Sequence, residues 1–159
     1  MTRPFPDLTC RSFRRAAALT AFAILAAAGA MTSHSAAAGE LRVAVEGVKG
    51  DQGSVRVAIY RAGSKFLAPG QEYSAMYQQA RAGDLTVVFG DLPNDRYAVA
   101  VFHDENGNAE LDANLLGIPL EGIAFSERAA ATFGPPSFDA AALTVPAEGQ
   151  VTTHATMSY

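Results

Sequence analysis

Two runs, Leu41-Arg42-Val43-Ala44-Val45-Glu46 and Val55-Arg56-Val57-Ala58-Ile59-Tyr60, separated by a Gly50-Asp51-Gln52-Gly53 turn, decide how this chain folds. Leu41, Val43 and Val45 alternate with Arg42, Ala44 and Glu46, and Val55, Val57 and Ile59 alternate with Arg56, Ala58 and Tyr60. A period of two belongs to a strand with one buried face. Two such runs around a glycine-bearing turn predict a β-hairpin. Further along, Leu85, Val87 and Phe89 begin a third strand, which the turn residues Gly90-Asp91-Leu92-Pro93-Asn94-Asp95 end. Tyr97-Ala98-Val99-Ala100-Val101-Phe102 is apolar at every position, which predicts a central strand covered on both faces.

The segment 62–83 breaks this pattern. Pro69-Gly70 interrupts it, and residues 74–81 hold good helix formers without an apolar stripe, so a loop with one or two helical turns is expected. Downstream, residues 133–139 are proline-interrupted and residues 141–145 read as a strand. At the end, Val151, Thr153, Ala155, Met157 and Tyr159 alternate with Thr152, His154, Thr156 and Ser158, a strand showing water a polar face on which His154 is a solvated residue. Short strands, turn-rich connections and the lack of a sustained helical period predict an all-β, antiparallel sandwich of about seven strands, immunoglobulin-like or prealbumin-like. A small closed barrel is the alternative.

The 159 residues suit one domain and carry 12 basic and 16 acidic side chains, a net charge of -4 that would repel a nucleic-acid backbone. Residues 1–15 hold Arg3, Arg11, Arg14 and Arg15 against Asp7, and residues 16–30 are uncharged. A basic start, an apolar run and then small residues predict a secretory signal peptide over residues 1–38, cleaved after Ala38, with Ala30 as the alternative point. The run is shorter than the roughly 20 residues of a membrane-spanning helix, so no transmembrane segment is expected in the mature chain. Residues 39–159 then form a single periplasmic or secreted domain. Its 8 basic and 15 acidic residues give a net charge of -7, and it holds no cysteine, because Cys10 falls in the leader. Disulfide and thiolate chemistry are excluded with it.

The chemistry is concentrated in His103-Asp104-Glu105-Asn106-Gly107-Asn108-Ala109-Glu110-Leu111-Asp112. Carboxylate and carboxamide oxygens suit calcium, which takes six to eight such ligands. Counted from Asp104, the residues Asn106, Asn108, Glu110 and Asp112 fall at the third, fifth, seventh and ninth positions of a calcium loop. Ala109 stands at the sixth position, where a sharp turn wants glycine, and Leu115 at the twelfth, where a bidentate glutamate belongs. Calcium held by Asp104, Asn106, Asn108, Glu110 and Asp112, with Glu121 or a carboxylate within the loop completing the shell, is one expectation. A turn stabilised by Asp and Asn alone is the other.

The string HDENGNAELDANLLGIPLEGIAFS, residues 103–126, with Asp91-Leu92-Pro93 and Tyr97-Ala98-Val99 before it and Pro136-Ser137-Phe138-Asp139-Ala140 after it, resembles the bacterial exported family named for the domain of unknown function 2141. Members of that family typically read HD-x-N-x-N-G-x-L-D-x-N-x-x-G-x-P-x-E-G-x-x-F-S. Ala109 departs from the glycine of that pattern, and Ile123-Ala124 from an aromatic residue and glycine. The resemblance implies export and a β-sandwich and brings no activity with it.

Two functional classes remain. The first is a non-catalytic exported module that binds an unknown ligand or a cell-envelope partner through loops or a sheet edge; a purely structural envelope module without metal is its plainest form. The second is a periplasmic hydrolase using His103 and Ser126, with Glu121 and Ser126 forming the wall of a pocket opposite His103 and Asp104. Against it stand the missing G-x-S-x-G pattern and the opposite directions of adjacent residues on a strand. With only His103 and His154 in the mature chain, no pair at zinc-ligand spacing occurs.

Overall fold

The computed structural model describes residues 38–131 and 134–159. The expected leader and Phe133 lie outside the described residues, apart from Ala38. Eight strands follow in order: β1 (Gly39–Val48), β2 (Ser54–Arg61), β3 (Ser74–Gln79), β4 (Gly83–Leu92), β5 (Asp95–Asp104), β6 (Gly122–Phe125), β7 (Ala142–Val145) and β8 (Gln150–Thr156). Among the described residues one short α-helix, α1 (Phe138–Ala141), precedes β7 and is capped by the Ser137 hydroxyl, which accepts from the Ala140 amide, and a 3-10 turn, Ser126–Arg128, follows β6. No helix among the described residues is long and apolar enough to cross a membrane.

The strands form two sheets. One has the order β4-β1-β8; the other has the order β3-β2-β5-β6, with β7 also paired to β5. Pairing is antiparallel except between β1 and β8, which run parallel from Glu40–Gln150 to Glu46–Thr156. The two sheets share a core of Leu41, Val43 and Val45 from β1, Phe89 from β4, Val55, Val57 and Ile59 from β2, and Tyr97 and Val99 from β5. Burying each such side chain contributes about 1.5–3 kcal/mol.

The buried faces of β1 and β2 are the expected ones, but their pairing is not. Instead of a hairpin, β1 pairs β4 and β8 while β2 pairs β3 and β5. The connection between β1 and β2 crosses from one sheet to the other, so their apolar rows face each other across the core. Alternation records which face leaves water; it carries no information about the hydrogen-bonded neighbour. Gly53 makes the crossing possible. It sits at φ +69°, and a Cβ there would strike the Asp104 carbonyl oxygen.

Residues 74–79 are a strand at the edge of the larger sheet, not helical turns. Without an apolar stripe, a helix there would have no face to bury, whereas β3 gains a full ladder with β2 from Ser54–Gln79 to Ile59–Ser74. The third strand also extends further than expected, β4 running through Gly90 and Asp91 to Leu92.

Strand β5 is central, as its composition predicts. It has β2 on one side, and on the other β7 against Asp95–Ala98 and β6 against Ala100–His103. Its inner face, Tyr97, Val99 and Val101, is buried in the shared core. Its outer face is covered only at the start, where Ala98 packs with Phe125 and Ala141, flanked by Phe66 and Phe138. Ala100 and Phe102 further along stay half-buried and form the floor of a groove.

Candidate functional site

β5 delivers His103 and Asp104 to its C-terminal end, and both are buried. Asp104 organises the loop that follows. Its Oδ1 accepts from the amides of Gly107 at 2.7 Å and Asn108 at 3.2 Å, and its Oδ2 accepts from Ala109 at 2.9 Å. Asn106 Oδ1 accepts from the Asn108 amide and Asn108 Oδ1 from the Glu110 amide, so each polar side chain holds the backbone two residues on. This gathering of amides brings Ala109 to φ +63°, the left-handed turn for which glycine is the usual residue.

The second buried carboxylate, Glu121, closes the loop from its far end. Its Oε1 accepts from the Glu105 amide at 3.0 Å and its Oε2 from the Asp112 amide at 3.1 Å. Of the five residues expected to hold calcium, Asn106, Asn108 and Asp112 come together, with both carboxamides donating to the Asp112 carboxylate. Asp104 turns its oxygens toward the loop amides. The Glu110 side chain is exposed and makes no hydrogen bond among the described residues. No three acidic or histidine side chains among the described residues are grouped so as to hold a metal ion. The candidate ligand atoms are nonetheless all oxygens, which suits a hard cation, and Asp104 Oδ2, Asn106 Oδ1 and Asn108 Oδ1 each accept one hydrogen bond and keep a further lone pair.

His103 and Ser126 are placed apart. His103 Nε2 donates to the Gln52 carbonyl at 2.8 Å. Its Nδ1 meets the Tyr159 hydroxyl at 2.8 Å, and that hydroxyl oxygen also accepts from the Lys49 amide at 2.8 Å. Both imidazole nitrogens are thus used in tying the last residue to the β1–β2 crossing, and burial raises the Tyr159 phenol above its ordinary pKa. Ser126 is fully buried, its hydroxyl accepting from the Val99 amide at 2.8 Å and donating to the Ala141 carbonyl. Val99 and His103 are four residues apart on β5, a separation of about 13 Å along the strand. A base and a nucleophile must be within hydrogen-bond reach of each other, and this pair is not. Glu121 fastens the loop through the Glu105 and Asp112 amides.

Sequence reasoning missed the groove beside the loop. A cavity of about 1010 Å³ lies between the outer face of the larger sheet and the 109–119 segment. Its floor includes Arg56, Phe102, Ile123 and Phe125, with Tyr77 at one side and Leu116 and Ile118 above. The Arg56 guanidinium lies 5.8 Å from the Tyr77 and Phe102 ring centres and donates to Glu72 at 2.6 Å. That hydrogen bond holds the Glu72 carboxyl below its ordinary range. A signal was present in the sequence: the outer face of β5 is apolar at Ala100 and Phe102, where a solvent-facing strand would be polar.

The loop above the groove carries the three most exposed large apolar side chains of the described residues, Leu115, Leu116 and Leu120, with Ile118 among them. Leu115, Leu116, Ile118 and Leu120 are exposed by 106, 83, 55 and 67%. The segment is nevertheless well bonded. Asn114 Oδ1 accepts from the Leu116 and Ile118 amides, the Asn114 amide donates to the Ile118 carbonyl at 2.9 Å, and the Leu120 amide donates to the Asp112 carbonyl at 2.8 Å. On the far side of the molecule His154, expected to be merely solvated, joins Thr156 and Arg128 in donating to Glu46.

Fold and site together describe an all-β domain of two sheets in which two buried carboxylates fasten an apolar loop beside an open groove. The chain belongs to the family described as an uncharacterized protein conserved in bacteria (DUF2141), whose model matches residues 43–154. Neither the curated proteins nor the solved structures include a match to it.

Proposed function

We propose that the chain is an exported, non-catalytic binding module, an immunoglobulin-like or prealbumin-like sandwich working in the periplasm or outside the cell, that takes an apolar ligand in the groove under the 111–120 loop. The observation that carries this reading is the exposure of four large apolar side chains on a segment held in place by Asp104, Asn114 and Glu121. Exposed apolar surface of that extent marks an interaction site far more often than it serves stability. The groove beside it has the volume and apolar lining of a small-molecule site. Export is supported by the basic start and the uncharged run of residues 16–30.

Titration of the purified protein with a neutral apolar dye such as Nile red tests the site. Saturable binding is expected, weakened about tenfold or more by Leu116→Ser with Ile118→Ser, since each side chain removed takes roughly 1.5–3 kcal/mol of apolar burial with it. Equal binding by the native protein and the double variant would refute the assignment.

A calcium ion in the 104–112 loop is the second part of the proposal, supported by the convergence of Asn106, Asn108 and Asp112. Melting with calcium and with chelator should then differ by several degrees, and Asp112→Ala should erase the difference. Superimposable melts would leave a hydrogen-bonded turn that needs no ion.

A further inference from the structure

We propose that the groove binds a single-chain amphipathic anion, an alkyl carboxylate or alkyl phosphate, with its head group on Arg56 and its chain under Leu116 and Ile118. This rests on the groove being the binding site and adds the chemistry of what enters it.

Arg56 comes from the outward row of β2, opposite Phe102 of β5 on one side and Tyr77 of β3 on the other. Both rings stand 5.8 Å from its guanidinium, so the group is held in the sheet surface by aromatic faces on either side. A guanidinium has five N–H donors in a planar fork. Glu72 accepts from Nη2 at 2.6 Å and the Tyr60 hydroxyl lies beside the guanidinium, while Nε is buried with no acceptor among the described residues. A buried donor without a partner is unfavourable, and native structures rarely keep one without a reason. Nε itself is closed off from solvent, so an anionic head group arriving from the groove meets the guanidinium at the Nη donors that Glu72 leaves open.

The rest of the lining restricts the ligand further. Arg56 is the one cationic side chain among the described residues that line the groove, while Glu72 and Glu110 also border it. A second negative charge at the other end of the ligand would meet Glu110, so the molecule carries one anionic end and an uncharged tail. Tyr60, Leu67, Leu111, Leu116, Ile118 and Phe125 provide an apolar path for that tail. The apolar outer face of β5 and the single, under-used arginine thereby become two parts of one site.

The test is calorimetric titration of the full protein with dodecanoate, dodecyl phosphate and dodecanol, which share a chain and differ in the head. Both anions should bind about tenfold tighter than the alcohol, and added salt should reduce that advantage. Arg56→Gln should abolish the advantage while leaving alcohol binding in place. Arg56→Lys, which keeps the charge and fits the same aromatic slot, should retain part of it, so that a folding defect in the first variant does not decide the matter. Glu72→Gln should bind the anions at least as tightly as the native protein. Equal affinity for alcohol and anions in the native protein would overturn this inference while the groove reading stands. Failure of all three to bind would remove both.

Discussion

Replacing Ala109 with glycine should stabilise the domain. Ala109 is held at φ +63° because Asp104 draws the amides of Gly107, Asn108 and Ala109 onto one carboxylate. In that region the alanine Cβ crowds the following carbonyl oxygen, which costs about 1–2 kcal/mol. The methyl is exposed, so its removal forfeits little packing. Glycine adopts this φ without strain but gives the unfolded chain more freedom, which opposes the gain by about 0.4–1 kcal/mol. The difference spans zero to about 1.6 kcal/mol and centres on about 0.8 kcal/mol, a rise in Tm of roughly 3–5 °C at the centre for a domain of this size. Urea unfolding and calorimetry of the two proteins measure it. Ala82→Gly is the control: Ala82 is exposed and is not among the positive-φ residues, so only the unfolded-state term acts and stability should fall by about 0.4–1 kcal/mol. If Ala109→Gly loses as much as the control does, the strain argument is wrong.

Two other perturbations test the described geometry. Hydrogen bonds from His154 and Thr156, with Arg128 adding its charge, lower the Glu46 carboxyl from 4.5 to about 2. The unfolded chain therefore binds the proton more tightly, and the stability Glu46 contributes is complete above about pH 4.5 and lost as pH falls toward 2. Glu46→Gln should flatten the dependence of the urea midpoint on pH across that window, and parallel slopes for the two proteins would contradict it. Tyr159→Phe removes the hydroxyl shared by the Lys49 amide and His103 Nδ1. The buried imidazole nitrogen then lacks a partner, at a cost of about 1–3 kcal/mol by chemical denaturation; an unchanged midpoint would mean that the contact is not maintained in solution.

What could be read in advance depends on how local each feature is. Leu41, Val43 and Val45 announce their burial because successive side chains of a strand take opposite faces, wherever the strand is placed. The 104–112 turn is legible for a similar reason, since Asp104, Asn106 and Asn108 bond amides within five residues of themselves. Ala109 even occupies the glycine conformation that its position in the motif requires. The helical turns expected in 74–81 failed because intrinsic propensity is weak beside a ladder supplied by β2. The hydrolase pair failed because closeness along the chain says nothing about which neighbours a hydroxyl or an imidazole meets.

By itself the sequence determined which residues leave water, that they do so as strands, and that one acidic loop concentrates the residues that form turns. All three follow from backbone geometry and hydrogen bonds of short range. Only the tertiary structure decided that β1 and β2 face each other across the core instead of pairing, because a buried row of side chains fits equally well beside a strand or opposite one. It also decided the groove. Arg56, Tyr77, Phe102 and Leu116 come from three strands and a loop, and only the register of β3, β2 and β5 brings their side chains to one surface.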